Sequence, residues 1–402
     1  MKILHTADWH LGASFGPEKR TREFSAVLQW LLRTIAAEHV EAVILAGDIF
    51  DSGVPSNSAS ELYYRFLSGA HAAGVRSIIA VAGNHDSASF LEAPKWILAQ
   101  LNVSVIGHAD KLHSDEQIIP LRERNGEIGA VVCAVPYLRD RDVRTTVSGE
   151  TIAQQQNSRK NGMLRHYRDL CARARELYPD VPLIATGHFY AAGGTVSGWN
   201  TVGNLSSLAV SELPESIDYL ALGHLHTAQP VGGRVNCRYS GSLLQMSFGD
   251  QDCRKVVLLL DTARLSDPPL EIPIPVFQKI EKITGDTDAI RKRLNELKSQ
   301  AESVWVCAEN TGEFDPDLQQ RLNSCCEKSP VRIITCRNLR ENPILKNRQF
   351  YSGKKLSELN PQQVFLHLLE ERQLPAEKQA PLLQAFHEAV RELAEDDARA
   401  ES

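Results

Sequence analysis

The chain lacks several features that would place it in a specialised class of protein. It has no run of about 18 apolar residues, and its first residues lack the basic and apolar segments of a signal peptide. Its eight cysteines form no C-x-x-C pair, and 402 residues can bury a core without disulfides. No low-complexity tract or solenoid repeat is visible. We therefore expect a soluble protein of two or three domains in the cytoplasm, nucleoid association included, with no membrane partner.

An excess of positive charge is also missing. The chain has 44 Lys and Arg against 50 Asp and Glu, which gives a formal net charge of −6. Lys and Arg dominate phosphate binding, so this balance argues against a protein that coats DNA, although local basic patches remain compatible with it. Residues 157–175, NSRKNGMLRHYRDLCARAR, form one basic stretch with helical spacing. It is interpreted either as a solvated helix face or as a DNA contact.

Five apolar runs end in clusters of Asp, Asn or His. The run AVILA, for example, leads into Gly47 and Asp48, a pattern typical of a strand covered on both faces that ends in a tight turn. Ligands bind at the carboxyl ends of parallel strands, so the clusters are expected to face one crevice. A single such residue would be explained as a turn residue, but five clusters together favour a metal site. The residues concerned are Asp8, His10, Asp48, Asn84, His85, Asp86, His188, His224 and His226.

The donor types indicate the kind of metal site. Oxygen and imidazole donors without thiolates suit manganese, iron or zinc. Seven candidates exceed what one tetrahedral zinc needs, so we expect two divalent ions about 3.5 to 4 Å apart, bridged by the carboxylate of Asp48. Such a centre hydrolyses phosphate esters. The predicted ligands are Asp8, His10, Asp48, Asn84, His188, His224 and His226.

Two residues of the GNHD run are left for catalysis. His85 is surplus to ligation. With Asp86 beside it, His85 is expected to stand near the leaving oxygen as a general acid, or to stabilise charge on the phosphorane.

These motifs resemble those of the calcineurin-like metallophosphoesterases. That family carries the blocks DxH, GDxxD, GNHD, GH and GHxH, and this chain has DWH, GDIFD, GNHD, GH and GHLH in the same order. The longer stretches ILHTADWHLG, GDIFDSGVPS and YSGSLLQMSF are similar to the nuclease subunits of the bacterial SbcCD family. The resemblance implies the same seven ligands and His85 as the catalytic histidine.

The resemblance also implies an activity and partners. The implied activity is that of a Mn²⁺-dependent nuclease that trims double-stranded DNA from 3′ ends, cuts single strands and opens hairpins. It would act with an SbcC-type ATPase in DNA repair, replication and recombination. The residues alone indicate only phosphoester hydrolysis, so a protein phosphatase or a small-molecule phosphodiesterase stays an alternative. A scaffold without metals is disfavoured because no ligand position is empty.

The order of apolar segments predicts an α/β (α+β) fold. Strands ending near Ala46 and Ala80 alternate with helical patterns over residues 21–38 and 58–73, as in β-α-β units. After about Ala130 strands follow one another with less helix between them. We therefore expect a four-layer sandwich of two mixed sheets packed face to face and flanked by helices.

Two further segments are expected after the sandwich of residues 1–275. A proline-rich boundary at residues 266–276 leads into alternating strands and helices, which predict a small α+β domain over 276–340. This segment resembles the capping domain of the family, which helps to select the DNA substrate. Residues 341–402 are expected to form a linker and C-terminal helices that bind the ATPase partner.

The C-terminal prediction rests on helix signals. Asn360 and Pro361 are typical of a helix start. Two short amphipathic helices must dock, either on the protein's own body or on a partner. In the SbcCD family the corresponding tail binds the base of the coiled coil of the ATPase. The apolar positions are Val364, Phe365, Leu368, Leu369, Leu382, Phe386, Val390 and Leu393.

A second apolar stripe follows the GDIFDSG run. Leu62, Phe66 and Ala70, with Tyr63 and Leu67 beside them, share one face of a predicted helix. This stripe packs either on the protein's own sheet or on a second copy of the chain. The resemblance favours a homodimer within a heterotetramer.

Overall fold

The computed structural model describes residues 1–109, 114–144, 149–194, 208–300 and 302–340, and the single residues Phe365, Leu369, Leu382, Leu383 and Phe386. The chain divides into two compact units, Met1–Arg340 and Glu341–Ser402. Among the described residues, no helix has the length and apolar character needed to cross a membrane. All eight cysteines are free thiols.

The first unit contains seventeen strands and eight α-helices among its described residues. The strands are, in chain order, β1 (Lys2–Thr6), β2 (Ser14–Phe15), β3 (Glu18–Lys19), β4 (Ala42–Ala46), β5 (Ser77–Val81), β6 (Val103–Ile106), β7 (Ile118–Arg122), β8 (Ile128–Cys133), β9 (Leu183–His188), β10 (Tyr219–Gly223), β11 (Gln229–Val231), β12 (Arg234–Tyr239), β13 (Val256–Asp261), β14 (Leu270–Pro273), β15 (Lys279–Gly285), β16 (Val304–Asn310) and β17 (Val331–Asn338). The helices are α1 (Thr21–Glu38), α2 (Asn57–Ala72), α3 (Ala88–Glu92), α4 (Lys95–Ala99), α5 (Asp140–Val143), α6 (Ile152–Leu177), α7 (Thr287–Lys298) and α8 (Leu318–Cys326).

Two six-stranded mixed sheets form the body of this unit. The first has the order β14-β13-β1-β4-β5-β6, in which β1, β4, β5 and β6 are parallel and β13 and β14 continue antiparallel at one edge. The second has the order β11-β12-β10-β9-β8-β7, with four parallel strands between antiparallel edge strands. The mixed sheets confirm the predicted fold class.

The parallel strands are apolar on both faces because both faces are covered. Between the sheets, Ile44 and Ile79 share one buried cluster with Val132 and Ala221. The outer face of the first sheet is covered by α1, and that of the second by α6. The order helix, sheet, sheet, helix is the expected four-layer sandwich. It brings the carboxyl ends of β1, β4, β5, β9 and β10 to one edge.

The apolar stripe on α2 is covered by the chain's own core. Phe66 and Ala70 are buried in the same cluster as α1 and the first sheet, and the ring of Phe66 meets that of Trp9 edge to face at 4.8 Å. Tyr63 and Leu67 are also buried there, and Leu62 packs against the cluster. The burial of these side chains favours the interpretation that the stripe packs on the protein's own sheet, and Leu62 remains partly exposed.

A third, smaller sheet follows the sandwich. Its strands β15, β16 and β17 are parallel, and α7 and α8 pack on one face through Leu294 and Leu322. Strand β16 alternates, so that Val306 faces these helices while Trp305 faces the hairpin β2-β3. The rings of Trp305 and Phe15 lie 5.5 Å apart. The small sheet is thus packed against the sandwich through this aromatic contact.

The second unit is described at five residues only, all helical. The rings of Phe365 and Phe386 stack at 4.4 Å between centroids with an interplanar angle of 8°. The two predicted apolar segments of the tail therefore contact each other. The other expected tail positions, Asn360 and Pro361 included, lie outside the described residues.

Candidate metal centre

The strand ends that carry the predicted ligands have unusual backbone geometry. Asp8, His10, Asp48 and His224 adopt positive φ angles of 50°, 47°, 48° and 104°. Such conformations cost about 1 to 3 kcal/mol each for a residue with a side chain, and they persist only where neighbouring structure fixes them. Here the N–H of Asp8 donates to the carbonyl of Gly47 at 3.0 Å, and that of His10 to the carbonyl of Asp48 at 3.0 Å. The loops after β1 and β4 are therefore fixed against each other.

Glycine is required at two positions beside these ligands. A Cβ on Gly83 would lie 2.1 Å from Oδ1 of Asp48, and one on Gly47 would lie 2.3 Å from Nδ1 of His188. Gly47 also has a φ of 93°, which favours glycine. The glycines of the GD and GN motifs therefore let the second sheet and the loop after β5 approach Asp48.

One group of ligand atoms forms around His10. Its Nε2 lies 3.1 Å from Nε2 of His226. Ligand atoms of Asp8, His10 and His226 all lie within 4.8 Å of one another. The carboxylate of Asp8 is held in place by the backbone N–H of His224, which donates to its two oxygens at 2.9 and 3.1 Å.

A second group forms around His188. Its Nε2 lies 3.1 Å from Oδ2 of Asp48 and 3.1 Å from Oδ1 of Asn84. The same Asn84 oxygen lies 3.1 Å from Nδ1 of His224. Oδ2 of Asp48 is also 3.6 Å from Nε2 of His10, so it lies between the two groups. The structure thus brings all seven predicted ligands together.

The donor atoms fit divalent metal ions. Nδ1 of His188 donates to the carbonyl of Ala46 at 2.9 Å, which leaves Nε2 to face the oxygens of Asp48 and Asn84. Burial lowers the pKa of His224 to about 4 and that of His226 to about 3, so both rings offer lone pairs at neutral pH. Lone pairs that face each other at 3.1 Å repel unless a proton or a cation lies between them. Imidazole and oxygen donors are the ligands that Mn²⁺ and Zn²⁺ accept.

The buried carboxylates of the centre require a positive partner. Burial disfavours the charge of Asp48, but His188 and His10 outweigh this effect and hold the pKa of its carboxylate well below the usual range. In turn, burial disfavours a charged His188, yet the carboxylates of Asp48 and Asp8 raise its pKa to about 9. A proton on His188 and a metal ion therefore compete for the same carboxylates.

His85 lies at the rim of the centre and is exposed. Its ring meets that of His10 edge to face at 4.9 Å, and its Nδ1 lies 3.0 Å from the carbonyl of Asp51. When Nδ1 donates to that carbonyl, Nε2 is left to exchange a proton with a substrate. The backbone N–H of His85 also donates to Oδ1 of Asp48 at 2.9 Å, so the rim residue and the central carboxylate are positioned together.

Asp86 has a different place from the one expected. It is 2% exposed, and its carboxylate accepts hydrogen bonds from the N–H groups of Gly83 at 2.8 Å, Ile49 at 3.1 Å and Phe50 at 2.9 Å. These bonds tie the loop after β5 to the loop after β4. The expectation that Asp86 acts beside His85 at the leaving oxygen is therefore corrected: Asp86 is a positioning residue whose carboxylate is occupied by backbone donors.

Two neighbours of the ligands were missed from the sequence. Oδ1 of Asp51 lies 3.4 Å from Nδ1 of His10, opposite the nitrogen that faces His226. Asp51 is the second Asp of GDIFD, and this motif could have signalled it. The buried Nζ of Lys255 donates to the carbonyl of His226 at 2.8 Å and to Oγ of Ser242 at 3.0 Å. No sequence motif marks Lys255.

Comparison with known proteins places the chain among related sequences. The family model described as calcineurin-like phosphoesterase matches residues 1–228, and that described as type 5 capsule protein repressor C-terminal domain matches residues 276–373. The chain is 35% identical to the SbcD subunit of the nuclease SbcCD from Escherichia coli K12, over 98% of this chain and 99% of the relative. It is 33% identical to the protein of that name from Rhodobacter capsulatus, over 83% and 86%. The corresponding Bacillus subtilis protein is 32% identical over 65% and 66%.

Proposed function

The chain belongs to the calcineurin-like phosphoesterase family and to that of the SbcD nuclease subunits, and from this premise we propose that it is the DNA nuclease subunit of an SbcCD-type complex. It is a metal-dependent hydrolase of phosphoesters. The observation that carries the proposal is the convergence of the seven candidate ligands in a chain that is similar to a nuclease subunit over 98% of its length.

We assign the ligands to two divalent ions. Asp8, His10 and His226 would hold one ion, and Asn84, His188 and His224 would hold the other. Asp48 would bridge the two, because its Oδ2 lies between the groups. Bound ions would polarise the phosphoryl oxygens and lower the pKa of attacking water. The histidines and carboxylates of the chain supply a fixed frame, so that the scissile phosphate is oriented before reaction.

His85 is proposed as the proton donor to the leaving oxygen. The backbone carbonyl of Asp51 holds the ring through Nδ1, so Nε2 can carry the proton that the leaving oxygen needs. The ring lies beside that of His10 at 4.9 Å between centroids, and we assign His85 to proton transfer rather than to metal binding. General acid catalysis of this kind contributes about 10²- to 10⁴-fold in rate.

The proposed substrate is DNA and the proposed metal Mn²⁺, with 3′-to-5′ digestion of duplex ends, cleavage of single strands and opening of hairpins. The test compares Mn²⁺-dependent release of nucleotides from duplex DNA with hydrolysis of phosphopeptides and cyclic nucleotides by the same preparation. Preference for DNA by at least two orders of magnitude is expected. A preference for phosphopeptides or cyclic nucleotides would assign the site to a phosphatase or a small-molecule phosphodiesterase. Replacement of Mn²⁺ by Mg²⁺ or Zn²⁺ tests the metal.

The remaining segments are proposed to serve substrate and partner. Residues 276–340 would act as a DNA-capping domain, and residues 341–402 would bind an SbcC-type ATPase. Truncation at about Lys355 is expected to spare Mn²⁺-dependent cleavage of single-stranded DNA but to remove ATPase binding and ATP-stimulated digestion of duplexes. A truncated chain that still co-purifies with the ATPase would contradict the assignment of the tail.

We also propose a homodimer within a heterotetramer, in the cytoplasm. The α2 stripe is covered, so the candidate face is the exposed pair Trp96 and Ile97 on α4, which are 78% and 73% exposed. Large exposed apolar patches mark contact surfaces, and these two adjacent side chains are where we propose one. Glutamate at both positions should give a folded monomer in light scattering, and Leu270→Glu, at a position that is 58% exposed elsewhere, is the matched control. A dimer that persists in the double variant would exclude this face.

A further inference from the structure

Three arginines, Arg139, Arg141 and Arg144, follow β8, and Arg159 lies near the start of α6. The last three each form an ion pair with a carboxylate. Among the described residues, Arg139 has no carboxylate within ion-pair distance. Its Nη2 instead donates to the backbone carbonyl of Asp86 at 3.0 Å, while Nε and Nη1 have no partner in the described parts of the chain.

The hydrogen bond to Asp86 places the guanidinium of Arg139 next to the loop that carries His85. Two residues earlier, Tyr137 donates its backbone N–H to the carbonyl of Ala82 at 2.8 Å. The ring of Tyr137 lies 6.4 Å from that of His188. Residues 137–139 therefore run along the edge of the metal centre.

This edge is held rigidly. Nη2 of Arg159 donates to the hydroxyl of Tyr137 at 3.0 Å, and its guanidinium lies over the Tyr137 ring at 5.7 Å from the centroid. The backbone N–H of Arg139 donates to Oδ2 of Asp142 at 2.8 Å. The Arg139 side chain is half-buried, so the donors that it presents are fixed in direction. A fixed donor loses less conformational entropy when it binds.

A guanidinium without a carboxylate partner suits a phosphodiester. Its planar fork matches two phosphate oxygens, and hydrogen bonds between charged groups are about twice as strong as neutral ones. The scissile phosphate would bind at the metal ligands. Arg139 is instead hydrogen-bonded to the carbonyl of Asp86, one residue after His85, outside the ligand set. We propose that Arg139 binds the phosphate next to the scissile one and so distinguishes a polynucleotide from a small phosphodiester. This inference rests on the proposed nuclease function.

The test uses the full-length protein with Mn²⁺ and two substrates, a single-stranded oligonucleotide and bis(p-nitrophenyl) phosphate, which has one phosphate only. Arg139→Ala should lose about 10- to 100-fold in kcat/KM on the oligonucleotide, the worth of a hydrogen bond to a charged group. Its loss on bis(p-nitrophenyl) phosphate should be at least tenfold smaller. The salt dependence of oligonucleotide binding should fall by about one phosphate contact. Arg139→Lys keeps the positive charge but loses the planar guanidinium. Its kcat/KM on the oligonucleotide should lie between those of the wild type and Arg139→Ala.

The matched control is Arg141→Ala. Arg141 is 67% exposed, two residues along the chain, and is expected to behave as the wild type on both substrates. Equal losses of Arg139→Ala on the two substrates, or a fall in its manganese content or melting temperature, would overturn the inference, since Arg139 would then only hold the Asp86 loop. A wild-type protein that cleaves bis(p-nitrophenyl) phosphate but no oligonucleotide would overturn the nuclease function itself.

Discussion

Polar clusters terminate two sets of parallel strands in this chain, and they differ in how their atoms are paired. At the end of β16, Asn310 donates through Nδ2 to Oδ1 of Asn338 at 2.8 Å and to the carbonyl of Glu313 at 2.8 Å, and its Oδ1 accepts from the N–H of Gly312 at 2.9 Å. Each donor there meets an acceptor. After β5, Oδ1 of Asn84 faces two histidine nitrogens at 3.1 Å instead.

The difference shows what separates a site from a stable strand end. A closed set of donors and acceptors stabilises the fold and leaves nothing for a ligand. In the metal centre the carboxylates of Asp48 and Asp8 raise the pKa of His188 to about 9, so a proton on its Nε2 holds the position that a cation would take. Polar residues at strand ends are therefore a weak signal alone, and several histidine nitrogens and carboxylate oxygens within 4.8 Å of one another are a stronger one.

The largest effect is expected at the carboxylate between the two ligand groups. Asp48→Ala removes the proposed bridge, so it should abolish metal binding and activity together. Elemental analysis and nuclease assays measure both, and circular dichroism checks the fold. Asp267→Ala, at an exposed carboxylate, is the control and should keep metal and activity. Retention of both ions by Asp48→Ala would refute the bridging role.

A smaller effect is expected at His85, which lies beside the ligands rather than among them. His85→Gln should keep the full metal content but lose about 10²- to 10⁴-fold in rate, the usual worth of a general acid. Parallel elemental analysis distinguishes this result from that of Asp48→Ala. If His85→Gln lost metal to the same extent as Asp48→Ala, His85 would have to be a ligand.

Replacing Lys255 tests whether metal binding depends on the hydrogen bond that holds the backbone of His226. Its ammonium holds the backbone of His226, so Lys255→Met should weaken metal binding by about 10- to 100-fold, as is usual when a group that orients a ligand is removed. Isothermal titration with Mn²⁺ measures the change. Lys279→Met, whose Nζ lies near Gln300, is the matched control. An unchanged affinity for Mn²⁺ would show that Ser242 alone fixes the His226 backbone.

The sequence predicted the fold and the positions of the candidate ligands, because both leave local signals. The helix expected at residues 21–38 is α1, and all nine site candidates lie at strand ends. Side-chain direction leaves no such signal. The carboxylate of Asp86 turns toward three backbone N–H groups, and Phe66 turns into the core, and neither could be known before the sheets and loops were placed. Arg139 and Lys255 were missed for the same reason, since their partners are backbone carbonyls distant in sequence.

The smallest effect on function, but a clear effect on stability, is expected at the hydrogen-bonded strand end around Asn310. Asn310 is fully buried, and Asn310→Ala leaves the N–H of Gly312 and the carbonyl of Glu313 without their partner, which should lower the free energy of unfolding by about 1 to 3 kcal/mol. Metal content and activity should not change.

Asn84→Ala is the complementary experiment. Because Asn84 is exposed, the free energy of unfolding of the metal-free protein should change by less than about 0.5 kcal/mol, while metal binding weakens. Urea unfolding of both metal-free variants, with manganese titration, measures the contrast. If Asn310→Ala lost metal or Asn84→Ala lost stability, the pairing of donors and acceptors would not be what distinguishes the two strand ends.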